Sequence, residues 1–387
     1  MRLLVFSPFY PPHVGGLETH ALEFNQHLAP SVEQITVFTP RLPDSALEHE
    51  TEGHITVLRF PAFEPIHNYP LPKFWQARFW QLWKEATQTR PTHILSRTRF
   101  FFTSLMAWHI ARKHALSWLH VEHGSDFVHF HSPLKSWLGK IYDQTCGRFV
   151  LRQAHTVVAN SLASAAFVSR LSGRNDCRTI YRGVEVDMIL NAVATSEIQS
   201  RFPDRIIVGY LGRLIDGKGV RHLLEAIKEL NDPRLACVII GSGPDRKNIE
   251  SFIRLHRLEN SILLLGHRPL PEALGLMKSF DISVNPSYSE GIPTSVVEAA
   301  LLKKAIIATR VGGTPEIISG NGDGFLIPPK DTPALVEKIK LLASDAPLRQ
   351  KMGERAYAMA RDKFSWPQAV RQYMTLLEGK KDNFSPR

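Results

Sequence analysis

Short apolar and β-branched runs alternate with helical stretches along this chain, and the alternation occurs twice. The first series is "RLLVFS" (2–7), "QITVFT" (34–39), "HITVLRF" (54–60), "THILS" (92–96), "SWLHVEH" (117–123) and "HTVVANS" (155–161). The second is "RIIVGYLG" (205–212), "LACVIIGSG" (235–243), "SILLLG" (261–266), "DISVNPS" (281–287), "KAIIATR" (304–310) and "GFLIP" (324–328). Strands separated by helices form parallel sheets with helices over their faces. A chain of 387 residues is long enough for two such units. Polar residues gather through "NAVATSEIQSRFPDR" (191–205), which reads as a linker. The expected organisation is α/β, with one domain over 1–195, a second over 196–365 and a closing helix over 366–387. Ligands of such folds lie at the C-terminal ends of the strands.

Composition narrows the class. Hydrophobic content of 43% and charged content of 22% are ordinary for a globular protein. No apolar run approaches the ~18 residues of a membrane span. "MRLLVFSPFYPP" is broken by Pro8, Pro11 and Pro12, so it reads as a first strand and not as a signal peptide. Cys146, Cys177 and Cys237 lie far apart, with no metal-ligand spacing, which fits a reducing compartment. No metal site is expected. The net charge of +10 favours an anionic partner or a solvated basic surface. No compact basic-aromatic module for nucleic acid is present in the sequence, and nucleic acid is not an expected partner.

Glycines fall at strand ends. "YPPHVGGLETH" follows the first strand, and its Gly15 and Gly16 let backbone approach a ligand beside a helix start. A plain turn has the same look. "YLGRLIDGKGV" (210–220) sets Arg213 and Lys218 among Gly212, Gly217 and Gly219 just past a strand. Two cations in such a loop suit a diphosphate, although a solvated turn is also compatible. "GSGP" (241–244) places Gly241 in the same way. Neither a dinucleotide fingerprint nor a P-loop occurs. In "SEGIPTSVVEA" (289–299), Pro293 suits the first turn of a helix. Glu290 then lies in the loop ahead of that helix and Glu298 about a turn and a half inside it.

Together these stretches resemble the retaining, nucleotide-sugar-dependent glycosyltransferases of the GT-B fold, in the large group called family 4. The resemblance begins with "SPFYPPHVGGLETHALEFNQHLA" and runs through "VEHGSDF", "VVANS" and "YLGRLIDGKG". It is densest in "DISVNPSYSEGIPTSVVEAALLKKAIIATRVGGTPEII" and "GDGFLIPP", and it closes on "FSWPQAVRQY". It implies two facing Rossmann-like domains with a deep cleft and a last helix that returns to the first domain. It also implies transfer of a sugar from a UDP- or GDP-linked donor to a hydroxyl of a glycan or lipid-linked acceptor. The configuration would be retained, without a metal, a cofactor or a covalent enzyme intermediate.

The resemblance also implies roles. Arg213 and Lys218 match the basic pair that binds the diphosphate and stabilises charge on the leaving nucleotide. Glu298 would accept hydrogen bonds from the ribose, and Glu290 would lie nearer the transferred sugar. The backbone around Gly291, Ile292, Pro293, Thr294 and Ser295 would face the sugar and phosphates at a helix N-terminus. Gly15 and Gly16 match a glycine loop near the phosphates and acceptor. His123 matches a histidine held beside the donor sugar. His120 is its rival, but alternation sends the two to opposite faces. "GHRPL" (266–270) matches a segment whose backbone contacts the base, with Arg268 a candidate. Glu18 and Asp126 are acceptor candidates.

"YPLPKFWQARFWQLWKEA" (69–86) reads as an amphipathic helix with Trp75, Phe79, Leu82 and Trp83 on one broad face. A basic, tryptophan-rich helix suits an anionic membrane surface. That would put a cytoplasmic enzyme peripherally at the inner face of the membrane. The same face packed on the first domain's core is the other reading, and part of each is compatible with the pattern. The alternative function is a nucleotide-sugar epimerase or another non-transferase on the same architecture. A phosphorylase would be much longer, and a two-domain binding protein would carry an export signal.

Overall fold

The computed structural model describes all residues except 14, 67–68, 129–131 and 380–387. The chain separates into two units, Met1–Gly183 with Trp366–Arg387, and Val184–Ser365.

The first unit contains β1 (Arg2–Phe6), β2 (Gln34–Pro40), β3 (His49–Glu52), β4 (Ile55–Phe60), β5 (Ala62–Ile66), β6 (Tyr69–Pro72), β7 (His93–Arg97), β8 (Ser117–Glu122), β9 (Thr156–Ala159) and β10 (Arg178–Thr179). Its main sheet runs β10-β9-β8-β7-β1-β2-β4-β3, and every pair is parallel except β3 with β4. Alternation along β1 shows why the sheet is covered on both faces. Leu4 and Phe6 enter a cluster with Phe38, Phe60 and Phe79, while Leu3 and Val5 enter another with Phe24, Leu28 and Trp366.

The second unit contains β11 (Ile206–Leu211), β12 (Leu235–Ile240), β13 (Ile262–Gly266), β14 (Ile282–Asn285), β15 (Ala305–Thr309) and β16 (Phe325–Ile327). They form one parallel sheet in the order β13-β12-β11-β14-β15-β16. Counted within the unit, this is the doubly wound order 3-2-1-4-5-6, whose switch point lies between β11 and β14. The first unit repeats the order, with its switch point between β1 and β7.

Each run read as a strand contains one. β3, β5, β6 and β10 fall outside those runs for separate reasons; β5 is "AFEPI", interrupted by Pro65 and exposed over its last three residues. β3 is "HETE", fully exposed at a sheet edge, so it carries no apolar signal. β6 is "YPLP" and, among the described residues, pairs with β5 alone, where prolines are tolerated at an edge. β10 is two residues long.

Three expectations change. Residues 69–72 are strand, and the helix read over 69–86 occupies only Ala77–Gln88, so Trp75 precedes it. Pro70 and Pro72 cannot sit inside a helix. The stretch 191–205 is no open linker, because Ile198 and Phe202 are buried and Glu197 binds Arg268. The first unit therefore ends at Gly183, not at 195. The closing helix is Trp366–Leu377, grouped with the first unit, where Tyr373 meets Phe24 at 4.7 Å. The end of the expected segment, 380–387, lies outside the described residues.

Candidate functional site

In the second unit, three loops meet at the C-terminal ends of β11, β14 and β15. The β11 loop carries Arg213 and Lys218, and the β14 loop carries Glu290. The Tyr288 amide donates to the Gly217 carbonyl at 2.9 Å, and the Gly313 amide donates to the Gly291 carbonyl at 2.7 Å. The Thr309 hydroxyl donates to the Ser287 carbonyl. Two glycines are required by this closeness. Gly219 has φ +65°, and a Cβ there would lie 2.1 Å from the Pro286 carbonyl oxygen. Gly312 has φ +49°, and a Cβ would lie 1.6 Å from the Glu290 carbonyl oxygen. No larger residue fits either place without moving the neighbouring loop. Gly241 follows β12 and packs against the Gly212 carbonyl.

These loops bring Lys218 and Glu290 together. Lys218 Nζ donates to Glu290 Oε1 at 2.6 Å, and Ser287 Oγ donates to the same oxygen at 2.6 Å. The helix after Glu290 is Thr294–Leu301, with Pro293 at the N-cap position. Pro293 is thus one residue earlier in the helix than expected, which leaves its missing N–H equally harmless. Among the described residues no side chain caps this helix start, so its first amides keep their donor capacity and partial positive charge. Glu298 lies in its second turn and is buried. Asn285 Nδ2 donates to Ser295 Oγ at 3.2 Å, which ties the helix start to the end of β14. Arg213 is exposed, and among the described residues no carboxylate lies within ion-pair distance of it. Lys218 is partnered and Arg213 is not, so the loop retains positive charge for an anion.

Arg268 differs from the other cations. Its guanidinium donates to Glu272 at 2.8 Å and to Glu197 at 3.0 Å. Two carboxylates already neutralise it.

In the first unit, the loop after β1 leads through Gly15 into the helix Gly16–Leu28. Glu18, in the first turn, is buried and bonded to His13. A Cβ on Gly15 would meet the Glu18 carboxylate at 2.4 Å, whereas one on Gly16 meets no atom of the described residues within 4 Å. His123 follows β8. Its Nδ1 lies 3.5 Å from Asn160 Nδ2, its ring meets His20 edge-to-face at 4.8 Å, and its Nε2 is buried with no partner among the described residues. Burial, with the Arg97 cation nearby, pushes its pKa down to about 3, so the ring is neutral near pH 7. His120 is fully buried and bonded through Nδ1 to Ser96 at 2.8 Å. Asp126 is exposed, and its Oδ1 accepts from the Phe127 amide at 2.8 Å.

A buried charge network beneath His123 was missed in the sequence. Glu122 Oε1 accepts from the amides of His123 and Gly124 at 2.9 and 2.8 Å. Arg99 pairs with Glu122 at 3.0 Å and with Asp143 at 3.0 Å. The Arg99 charge, helped by His120 and the Gly124 amide, outweighs burial and holds Glu122 below the usual carboxylate range. Burial pushes Asp143 up to about 6 against the same arginine. The network fixes the backbone that carries His123. Ser287 and Asn285 were also missed as site residues; their signal was their place at a strand end, within four positions of "SEG".

The chain matches Glycosyltransferase Family 4 over residues 14–188 and Glycosyl transferases group 1 over residues 194–359. It is 30% identical to an uncharacterised glycosyltransferase of Methanocaldococcus jannaschii, over 98% of each chain. The chain belongs to the group 1 glycosyltransferases of family 4. A second uncharacterised glycosyltransferase of that archaeon is 26% identical over 96% of each chain. Among solved structures, sucrose-phosphate synthase of Thermosynechococcus elongatus superposes with TM-score 0.81 at 19% identity, over 98% of each chain. Anabaena HepE in complex with UDP superposes with TM-score 0.78 at 20% identity, over 98% of this chain and 100% of that one. The glycosyltransferase therefore has the GT-B architecture, built from two Rossmann-like domains with parallel sheets.

Proposed function

We propose that this glycosyltransferase moves a sugar from a UDP- or GDP-linked donor to a hydroxyl of a glycan or lipid-linked acceptor. The observation that carries the reading is the Lys218–Glu290 pair of 2.6 Å beside exposed Arg213, ahead of an uncapped helix start at the β11/β14 switch point. Homologous context supports the donor class, since the superposable Anabaena HepE is solved with UDP-glucose.

In this proposal Arg213 and Lys218 bind the diphosphate, helped by the amides of Ile292, Thr294 and Ser295. Lys218 then turns from Glu290 toward phosphate, which leaves Glu290 to meet the sugar. Glu298 accepts from the ribose hydroxyls. The backbone of 266–270 faces the base, with Arg268 held in place by Glu197 and Glu272. Neutral His123 lies beside the donor sugar, Gly15 and Gly16 admit the phosphates and acceptor, and Glu18 and Asp126 meet acceptor hydroxyls. Retention follows if the incoming hydroxyl attacks on the leaving-group face and passes its proton to the departing phosphate oxygen. The two cations stabilise the charge that builds there, so neither a metal nor another cofactor is required. The working place is the cytoplasm, peripherally at the membrane's inner face.

Incubation with a panel of nucleotide sugars, without acceptor, tests the reading. Slow hydrolysis of one donor is expected, undiminished in excess chelator. Conversion to an epimer, or no turnover of any donor by folded protein, overturns it.

A further inference from the structure

The amphipathic face of 69–86 is largely core: Phe79 and Leu82 are buried, and Trp83 packs against Phe6 and Phe38. Another helix reverses the usual pattern. Pro133–Tyr142 carries Leu134, Trp137, Leu138 and Ile141, at the i, i+3, i+4, i+7 spacing that normally faces a core. Here these four are 64%, 58%, 52% and 38% exposed. The helix attaches by one flank of that stripe, where Gly139 is buried and Tyr142 meets Phe100 at 5.3 Å.

The helical path continues through a wide turn, Asp143–Gly147, into Arg148–Gln153. Asp143 is pinned there by Arg99. The path leads to an open pocket of about 570 Å³ lined by Arg148, Arg170, Gln144, Asp126, Phe127 and Phe167. Arg148 and Arg170 are exposed, and neither has a carboxylate in ion-pair range among the described residues. Asp126 is the pocket's carboxylate, and two arginines outnumber it.

We propose that the exposed stripe Leu134–Ile141, with the arginine pocket beside it, docks on an anionic phospholipid surface. Charge and composition select this occupant. Lys135 and Lys140 flank the stripe, the pocket is cationic, and the chain carries +10 overall. An apolar stripe centred on tryptophan and bordered by lysines is the pattern of a helix lying in the interface plane. The stripe enters the acyl boundary, and Arg148 and Arg170 hold headgroup phosphates. The site does not depend on the sugar-transfer reading, because lipid binding is measured without a donor.

Flotation of the full chain with vesicles tests it. The protein should float with phosphatidylglycerol-containing vesicles and not with pure phosphatidylcholine. Trp137→Ser with Leu138→Ser should weaken flotation by about tenfold or more, with unchanged melting, because both side chains are exposed. Arg148→Ser with Arg170→Ser should weaken it by about fivefold and flatten its salt dependence. Flotation unchanged in both double variants overturns the proposal. So does a dimer by light scattering that the Trp137/Leu138 variant dissociates, since the stripe would then bind a second copy. Binding of soluble glycerol phosphate as tight as vesicle binding also overturns it, because the pocket would then be a soluble phosphate site.

Discussion

Both units share one strand order but hold their strand ends by different means. In the second, backbone meets backbone: Tyr288 bonds Gly217, Gly313 bonds Gly291, and Gly219 and Gly312 admit the contact. In the first, the turn after β8 is held from below by side-chain charge, through Glu122, Arg99 and Asp143. A backbone-built site tolerates few residue types and therefore writes itself into the sequence as glycine and proline. A charge-built site can draw its partners from anywhere in the chain, and Arg99 and Asp143 are 44 positions apart.

The comparison breaks first at Arg99. Arg99→Met leaves two buried carboxylates unpaired and should cost about 3–5 kcal/mol by denaturant unfolding. Lys218→Met, at the partly exposed pair of the second unit, should cost within about 1 kcal/mol. Equal losses would show that the two units are not held differently.

Glu290→Gln should lower kcat about a hundredfold if the carboxylate answers positive charge at the anomeric carbon. It also releases Lys218 for phosphate, so donor KM should stay level or fall. Glu298→Gln should do the reverse, raising donor KM with little change in kcat. Steady-state kinetics showing one signature for both variants would erase the distinction between the two carboxylates.

Arg213→Ala should weaken nucleoside diphosphate binding about tenfold by calorimetry, with melting unchanged. Unchanged binding would remove the unpaired cation from the site.

The smallest effect concerns His123. Its folded pKa, about 3, lies below its ordinary 6.5, so the unfolded chain binds the proton more readily between those values. Its contribution to stability is complete above 6.5 and is lost as pH falls toward 3. His123→Asn should therefore lose less stability than the parent between pH 7 and 5. Denaturant midpoints that move in parallel would place the acid sensitivity elsewhere, for instance at His20, whose pKa burial also lowers.

The inner strands of the two large sheets were legible because apolar and β-branched runs buried on both faces carry a strong signal. "SEGIP" and "GRLIDGKG" were legible because close backbone contact demands their glycines. Arg268 was only half legible: its position after β13 was clear, but its partners Glu197 and Glu272 depend on how 191–205 folds. The exposed stripe at Leu134–Ile141 was illegible in another way. Its spacing is that of a core-facing helix, and periodicity does not tell which side the protein stands on.

The return of Trp366–Leu377 to the first unit has a consequence for the order of synthesis. Trp366 stacks on His27 at 5.0 Å, and Tyr373 covers Phe24. One face of the first sheet thus waits, on the ribosome, for residues made after the whole second unit. The second unit, contiguous in sequence, is free to fold as it emerges. The part translated first is the part completed last, and until then its Phe24 and Leu28 face is open to chaperones and to misfolding.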